Sequence, residues 1–299
     1  MQVPVSVLIP AKNEELQIVD CLRSVAWADE IVVVDSQSTD RTVQLAEDFG
    51  ARCVQFHYSV GGPKKKNWAL ENVEFKHEWI LIVDADERIP EALAKEIAQV
   101  VREKPPEAGY YINRRFYFLD RWIMHSGYYP SWNLRLFKRS VGRYELLPDF
   151  SGRAGDNEVH EHVLLQGKAG RLRTPMDHYA YPTIEQFMEK HSRYANWEAS
   201  LGKRATSNID AGAGNPMLLS TNIRRTLRQF ARSLPFPHWA RFFYHYFLRL
   251  GVLDGVAGYI LCHLVAEYEF LIWAKTRELK RTKAPQESTT PQKLVETQP

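Results

Sequence analysis

The hydrophobic positions in the first hundred residues change their period several times. Four segments predict strands, and they cover 3–9, 31–34, 51–56 and 79–83, of which 31–34 and 79–83 are apolar throughout. Apolar residues spaced three or four positions apart predict helices between them, over 14–27, 38–49, 65–73 and a segment that begins at Pro90. This strand–helix repeat is typical of a parallel α/β sheet with helices on both faces, which binds its ligands at the carboxyl ends of the strands.

The pattern changes after residue 109. Short aromatic-rich strands up to about residue 173 predict antiparallel additions to the same sheet, and 183–204 and 218–283 predict helices. We therefore expect a mixed α/β domain over 1–215 and an amphipathic helical region over 216–283. The Pro/Gln/Thr-rich tail over 284–299 is predicted to be disordered.

Composition excludes several classes of protein. Hydrophobic residues make up 44% of the chain and charged residues 25%, which excludes a disordered or fibrous chain. A net charge of +3 is too small to indicate nucleic acid as a partner. The three cysteines form no CxxC pair, so neither a disulfide framework nor a zinc site is supported, and a reducing cytoplasm fits best.

Segments that direct a chain into or across a membrane are not expected. Charged residues follow the first apolar stretch at once, which is wrong for a signal peptide. The longest later run, 255–266, lies between Asp254 and Glu267 and is shorter than the roughly 20 residues of a membrane span.

Two carboxylates, Asp84 and Asp86, follow directly on the fourth predicted strand. Because side chains alternate along a strand, residues two apart project to the same side. Paired carboxylates suit a hard divalent cation that keeps positions open for phosphate oxygens. The alternative is that one Asp caps the next helix and the other is solvated.

Polar residues also close the first two predicted strands. Lys12, Asn13 and Glu14 follow the first, and the segment from Asp35 to Asp40 follows the second. Three strand ends therefore carry polar clusters on one rim of the sheet, which favours a nucleotide pocket. Ser38 or Thr39 is also expected to cap the following helix.

Three lysines at 64–66 precede Asn67 near a predicted helix start. Lysine there opposes the helix dipole, so helix design does not explain them. An anionic donor nearby would explain them, and the alternative is a solvated basic turn.

Three motifs resemble the family-two inverting glycosyltransferases with the GT-A fold. They are VLIPAKNE from Val7, VVDSQSTD from Val33 and VDAD from Val83. The resemblance implies a nucleotide-sugar donor and a divalent cation, Mn²⁺ or Mg²⁺. It implies donor-binding roles for Pro10, Lys12, Asn13, Glu14, Asp35, Ser36, Lys66 and Asp84, and metal-binding roles for Asp86 and His178.

An inverting transfer needs a base for the acceptor hydroxyl proton. The densest ionisable cluster of the second half is 156–162. It resembles the branch of lipopolysaccharide-core glucosyltransferases of the WaaE/KdtX type, with Glu161 as the first candidate base and Glu158 as the second. His160 and His162 are weaker candidates for metal ligands.

The C-terminal region is both basic and aromatic. Between residues 218 and 249 there are six arginines and no acidic residue, with eight large aromatics interleaved. Such helices commonly lie at a membrane interface, where arginine meets anionic headgroups. The alternatives are nucleic acid, which the dense aromatics disfavour, and helices packed on the catalytic domain with an Arg-rich outer face.

The sequence thus predicts a metal-dependent inverting glycosyltransferase, peripheral on the inner face of the cell membrane. The expected donor is a nucleotide-diphosphate sugar, with UDP favoured, and the expected acceptor is a glycolipid or lipopolysaccharide. The alternatives are transfer to polyprenyl phosphate, and a non-catalytic scaffold that binds lipid or protein.

Overall fold

A ten-stranded mixed sheet is the centre of the fold in the computed structural model, which describes residues 2–59, 62–103, 105–145, 162–201 and 236–282. The strands are β1 (Val3–Ala11), β2 (Ala28–Asp35), β3 (Arg52–Gln55), β4 (Trp79–Ile82), β5 (Glu87–Arg88), β6 (Gly109–Phe118), β7 (Arg121–Trp122), β8 (Trp132–Lys138), β9 (Gly142–Tyr144), β10 (Val163–Leu165), β11 (Ala169–Arg171) and β12 (Met176–His178). The helices are α1 (Ile18–Val25), α2 (Thr42–Asp48), α3 (Lys65–Asn72), α4 (Glu91–Glu103), α5 (Ile184–Leu201), α6 (Pro237–Phe243) and α7 (Gly255–Thr282).

The strand order of the main sheet is β3-β2-β1-β4-β8-β6-β12-β5. Strands β1 to β4 are parallel, and β8 is antiparallel to both β4 and β6. Strands β7 and β11 also pair with β6, whereas β9 and β10 form a separate pair. The expected mixed α/β sheet is confirmed, although β11 and β12 run parallel to β6 rather than antiparallel.

Both faces of β1, β2 and β4 are largely buried, which explains their mainly apolar sequences, whereas Arg52 and Gln55 of the edge strand β3 are exposed. Val7 and Ile9 of β1 pack with α1 and α4 residues in one core cluster. Leu8 of the same strand lies in a second cluster on the opposite face, together with Ile80 and Leu70. Because strand side chains alternate, helices must cover both faces, as the strand–helix repeat predicted.

The C-terminal helices pack on the sheet domain. Leu261 and Val265 of α7 share a buried cluster with Phe118 of β6 and Phe187 of α5. A turn of π-helix (Tyr244–Leu248) and a 3₁₀ turn (Gly251–Asp254) join α6 to α7.

The buried carboxylate of Asp254 ties this turn to the loop between β7 and β8. Asp254 accepts hydrogen bonds from the backbone N–H groups of Met124, at 3.1 Å, and His125, at 3.0 Å, and from the Ser126 hydroxyl. Gly251 lies so close that an added Cβ would come within 2.5 Å of the Ser126 hydroxyl. This contact requires glycine, so the C-terminal turn and the loop are fitted to each other.

The helical stretch Gly251–Arg281 is long and apolar enough to cross a membrane by length and composition alone. The expectation of no such segment rested on the uninterrupted apolar run, which stops before Glu267. Of the most apolar window in this stretch, 44% is buried inside the protein. The core helix of a soluble protein meets the same test, so this is weak evidence for a span.

Candidate active site

The carboxyl ends of β1, β2 and β4 lie side by side at one edge of the sheet. Ala11, the last residue of β1, pairs with Asp35, the last residue of β2. Leu8 of β1 pairs with Ile82, the last residue of β4. The polar segments that follow these three strands are therefore neighbours, as the sequence predicted.

Asp35 is fully buried and organises the turn after β2. Its two carboxylate oxygens accept hydrogen bonds from Ser38, one from the backbone N–H at 2.8 Å and the other from the hydroxyl. Asn13 joins this turn to the loop after β1, because its N–H donates to the Ser38 hydroxyl at 2.8 Å. Its side-chain oxygen accepts from the N–H of Thr39 at 2.9 Å. Asp35 and Asn13 therefore fix the backbone of both loops at the sheet edge.

The helix that follows this turn begins at Thr42, four residues later than expected. The prediction that Ser38 or Thr39 caps it is wrong, because their polar groups bond to the loop after β1 and to Asp35. Arg41 holds the cap position without a side-chain cap hydrogen bond, and the carboxylate of the preceding Asp40 accepts the Thr42 N–H at 3.0 Å.

The remaining residues predicted at these strand ends differ in exposure. Pro10 lies within β1, paired with Val34, while Lys12 is exposed to solvent. Ser36 is buried, and its N–H donates to the carbonyl of Ala11 at 3.0 Å. Of this group, Lys12 has the side chain that reaches solvent most openly.

Glu14 is half-buried, with its N–H donating to the Thr42 hydroxyl at 2.8 Å. Burial raises the pKa of Glu14 to about 7, the Lys190 charge opposes this rise, and the charges of Asp86 and Asp84 add to it. Glu14 is therefore a neighbour of both Asp residues that follow β4.

Asp84 is held by two cations. Its carboxylate contacts Lys66 Nζ at 3.0 Å and Arg135 Nη2 at 2.5 Å. Burial opposes ionisation, but the charges of Arg135 and Lys66 hold the pKa of Asp84 well below its usual range. Lys66, the lysine chosen from the three, is therefore an ion-pair partner of Asp84. The neighbouring Lys65 points elsewhere, with its ammonium donating to the Ala11 carbonyl at 3.0 Å.

Arg135 also connects Asp84 to Glu87, which sequence reasoning did not find. The same Nη2 atom lies 2.6 Å from Glu87 Oε1, and Arg114 approaches that oxygen at 3.3 Å. Glu87 Oε2 accepts the N–H of Asp84 at 2.9 Å, which fixes the turn after β4. A charged residue between the buried Leu134 and Leu136 of β8 is the signal that could have identified Arg135.

Asp86 and His178 lie next to each other, as the resemblance implied. The distance from Asp86 Oδ2 to His178 Nε2 is 3.5 Å, and the backbone is fixed by the N–H of Tyr179, which donates to the Asp86 carbonyl at 2.7 Å. Burial opposes ionisation here too, but His178 lowers the pKa of Asp86 to about 2. The second carboxylate oxygen, Oδ1, is buried and has no hydrogen-bond partner.

Asp86 and His178 are suited to bind a divalent cation because of the buried Oδ1 atom of Asp86. A buried, ionised carboxylate oxygen without a partner is costly, and a cation would satisfy it. Carboxylate oxygens are ordinary ligands for Mn²⁺ and Mg²⁺, and the imidazole of histidine is a common metal ligand in proteins. No group of three or more metal-ligating side chains is present in the described ranges, so these residues supply part of a coordination sphere, with room for substrate oxygens.

Glu158 and Glu161, the candidate bases, lie outside the described residues, as does His160. His162 is described, and its N–H donates to Glu145 Oε1 at 3.0 Å.

Comparison with known proteins agrees with this architecture. The model of glycosyl transferase family 2 matches residues 6–162. The lipopolysaccharide core biosynthesis glycosyltransferase LpsC of Rhizobium meliloti (strain 1021) is 29% identical over 203 residues, which cover 66% of this chain and 71% of LpsC.

Two solved structures are more distant. Mannosyltransferase PcManGT from Pyrobaculum calidifontis, in complex with GDP-Man and Mn²⁺, is 17% identical with a TM-score of 0.47, and the alignment covers 94% of this chain and 88% of that chain. Glucosyl-3-phosphoglycerate synthase from Mycobacterium tuberculosis, in complex with Mn²⁺ and UDP-Glc, is 23% identical with a TM-score of 0.31 over 38% of this chain and 44% of that chain.

The family match covers more than half of the chain and includes the three strand ends that carry Asp35, Asp84 and Asp86. The chain therefore belongs to glycosyltransferase family 2 and is a glycosyltransferase.

Proposed function

We propose that this glycosyltransferase inverts the anomeric centre as it moves a sugar from a nucleoside-diphosphate donor to a membrane-borne glycolipid of the lipopolysaccharide type. The donor is a UDP-sugar in this proposal, and the cofactor is Mn²⁺ or Mg²⁺. The observation that carries it is the buried Oδ1 of Asp86, which lacks a hydrogen-bond partner beside His178 at the ligand-binding edge of the sheet.

Asp86 and His178 would hold the cation in this proposal. A divalent cation bound there would stabilise the negative charge that develops on the leaving diphosphate. Lys66 lies within reach of the same edge through its 3.0 Å contact with Asp84, so its ammonium can bind a phosphate oxygen. Asp84, kept ionised by Lys66 and Arg135, is suited to accept hydrogen bonds from the ribose hydroxyls.

The base that takes the acceptor proton is Glu161 in this proposal, with Glu158 as the alternative. Both belong to the only segment of the sequence that combines this density of ionisable residues with the Val-His-Glu pattern. An inverting transfer needs a single carboxylate on the acceptor side, because the hydroxyl attacks the anomeric carbon directly.

A donor screen tests this function. Purified protein should bind one nucleotide-sugar, with UDP-sugars first, only when Mn²⁺ or Mg²⁺ is present, and it should release the nucleoside diphosphate when acceptor is added. Asp86→Ala should lose both binding and transfer without loss of fold. The exposed Asp20→Ala on α1 is the matched control and should retain both. Metal-independent binding, or transfer by Asp86→Ala near the original rate, contradicts the site assignment.

The name of LpsC supports a lipopolysaccharide-type acceptor. An exposed apolar surface supports peripheral attachment to the membrane that carries this acceptor. Its members lie between the residue before α6 and the first turn of α7, and they are Phe236, Trp239, Phe243, Phe247, Leu248, Leu250, Val252, Leu253 and Val256. We call it the C-terminal apolar surface. Such aromatic and aliphatic residues stabilise a protein in the interfacial layer of a bilayer.

Substitution tests this attachment better than truncation near Pro216. Truncation would remove Leu261 and Val265 from the core and could unfold the protein. A truncated protein that does not bind vesicles would therefore not show that the C-terminal apolar surface is responsible for binding. Trp239→Ser with Phe243→Ser should reduce the fraction of protein that sediments with anionic vesicles, and high salt should loosen the original protein only in part. Equal sedimentation of the variant contradicts the attachment.

A further inference from the structure

A cavity of about 620 Å³ lies between the C-terminal helices and the loop that joins β7 to β8. The loop contributes Ser126, Gly127 and Tyr128 to its wall, and α6 with the following turn contributes most of the remainder. Val265 and Glu269 of α7 complete the lining. The size is that of a pocket for an organic ligand rather than a packing defect.

Two arginines give this cavity a cationic lining. Arg241 and Arg249 both line it, together with His245, and the one carboxylate in the lining is the buried Glu269. The guanidinium of Arg249 lies against Gly127, where an added Cβ would come within 3.1 Å of Nε. Arginine presents a planar set of donors that matches a phosphate group.

The backbone around these arginines is fixed in two places. The N–H of Ser126 donates to the Arg249 carbonyl at 2.8 Å, and His245 Nδ1 lies 2.6 Å from the Ser126 carbonyl. Because a carbonyl only accepts, His245 carries its proton on Nδ1 in this contact. The loop and the turn therefore form a preformed wall for the cavity.

The mouth of the cavity is continuous with the C-terminal apolar surface. Phe243 and Leu248 belong to that surface and also line the cavity, with 53% and 76% of their area exposed. A cationic interior with an apolar mouth complements a ligand that has an anionic head and an apolar tail. A phosphorylated membrane lipid has this character, since its head enters the cavity while its tail stays in the bilayer.

The ring of Phe116 lies between the cavity wall and His178 of the candidate active site. The ring of Tyr128, in the cavity wall, stacks on Phe116 with centroids 4.5 Å apart. Phe116 contacts the edge of His178 at 5.7 Å, and His178 is the neighbour of Asp86. A lipid phosphate in the cavity would therefore lie beside the metal-binding edge without occupying it.

We propose that this cavity binds the phosphate monoester of a membrane lipid and positions a lipid-borne acceptor next to the reaction centre. The acceptor role rests on the proposed function, whereas binding of the lipid phosphate stands on the cavity itself. Binding of the lipid phosphate and the acceptor role can therefore be refuted independently of each other.

Vesicle sedimentation of the full chain tests the proposal. Phosphatidylcholine vesicles carry either phosphatidic acid, a phosphate monoester, or phosphatidylglycerol, a diester, at equal surface charge. The original protein should prefer phosphatidic acid by a factor on the order of 10. Arg241→Gln and Arg249→Gln should each bring this ratio close to one. Arg277→Gln, on α7 with its guanidinium stacked on Trp273 outside the cavity lining, is the matched control and should retain the ratio.

Several results would overturn the proposal. One is an unchanged ratio in Arg249→Gln, whose exposed side chain can be replaced without disturbing the core. Another is an equal loss in Arg277→Gln, which would indicate general surface charge. Binding of inorganic phosphate by a protein that shows no preference between the two kinds of vesicle would identify the free anion as the ligand and refute the lipid assignment.

Donor binding on the same proteins separates the two proposals. Cation-dependent binding of the nucleotide-sugar should be unchanged in Arg241→Gln and Arg249→Gln. Lipid preference without donor binding would refute the proposed function and leave the cavity assignment standing. Donor binding without lipid preference would overturn the cavity assignment alone.

Discussion

Replacing Arg135 with methionine should destabilise the protein in a pH-dependent way. Arg135 is 6% exposed and bridges two carboxylates, Asp84 at 2.5 Å and Glu87 at 2.6 Å. Breaking a buried ion pair by removing one partner costs about 3–5 kcal/mol. Asp84 keeps Lys66 and Glu87 keeps Arg114, so we expect a loss of unfolding free energy at the lower end, about 3 kcal/mol.

The pH dependence has a definite sign. In the original protein Arg135 and Lys66 hold the pKa of Asp84 well below its usual range despite burial. A carboxyl with a lowered pKa contributes stability above its unfolded pKa of about 3.9, and this contribution is lost as the pH falls through the folded value. Without Arg135 that contribution is smaller. The difference between original and variant should therefore be largest near pH 7 and narrow below about pH 4.

Urea unfolding followed by circular dichroism from pH 7 to pH 3 measures both effects. Arg135→Lys should lose less than Arg135→Met, because an ammonium keeps the positive charge between the two carboxylates. Arg23→Met on α1 is the control, since its pair with Asp20 is 69% and 61% exposed and should contribute less than about 1 kcal/mol. A loss for Arg135→Met as small as that of the control, or one that does not change with pH, would refute this reasoning.

Three further predictions use independent measurements. Glu161→Gln should keep donor affinity and lower turnover by a factor on the order of 10² to 10⁴, and the same result for Glu158→Gln alone would transfer the role of base to that residue. Burial raises the pKa of Glu14 to about 7, so ionisation of Glu14 destabilises the folded protein above that pH. The metal-free Glu14→Gln variant should therefore be more stable than the original above pH 7. A difference in unfolding free energy that does not disappear towards pH 4.5 would contradict this. Asp254→Asn should cost about 1–3 kcal/mol in urea unfolding, because one of the two oxygens that accept hydrogen bonds from buried donors is lost. The exposed Glu267→Gln on the following helix, α7, should be neutral, and equal losses would contradict the structural role of Asp254.

The sheet and its ligand-binding edge could be predicted because the relevant signals are local. Strands buried on both faces give continuous apolar runs, and parallel strands have their carboxyl ends at one edge. The positions of Asp84 and Asp86 after β4 follow from the sequence in this way. The start of α2 was placed too early because Ser38 is chemically a good helix cap, and its long-range bonds to Asp35 and Asn13 decided otherwise.

Contacts between distant segments could not be predicted. Arg135 is 51 residues from Asp84 in sequence, and Asp254 is 129 residues from His125. A charged residue in an apolar strand indicates that a partner exists but does not identify it. The C-terminal region was predicted as amphipathic helices with no assigned contacts for the same reason. An apolar face indicates that it must be covered but does not identify the strand or helix that covers it.

The contrast between Asp84 and Asp86 is the strongest physical support for the roles we propose. In the sequence the two carboxylates look equivalent, because both belong to Asp residues that follow β4. In the structure their surroundings differ. Asp84 already has Lys66 and Arg135, so a divalent cation would gain little by binding an anion whose charge is balanced. Asp86 has His178 and an oxygen with no hydrogen-bond partner, so a cation gains most there. This asymmetry supports metal binding at Asp86 and substrate orientation at Asp84.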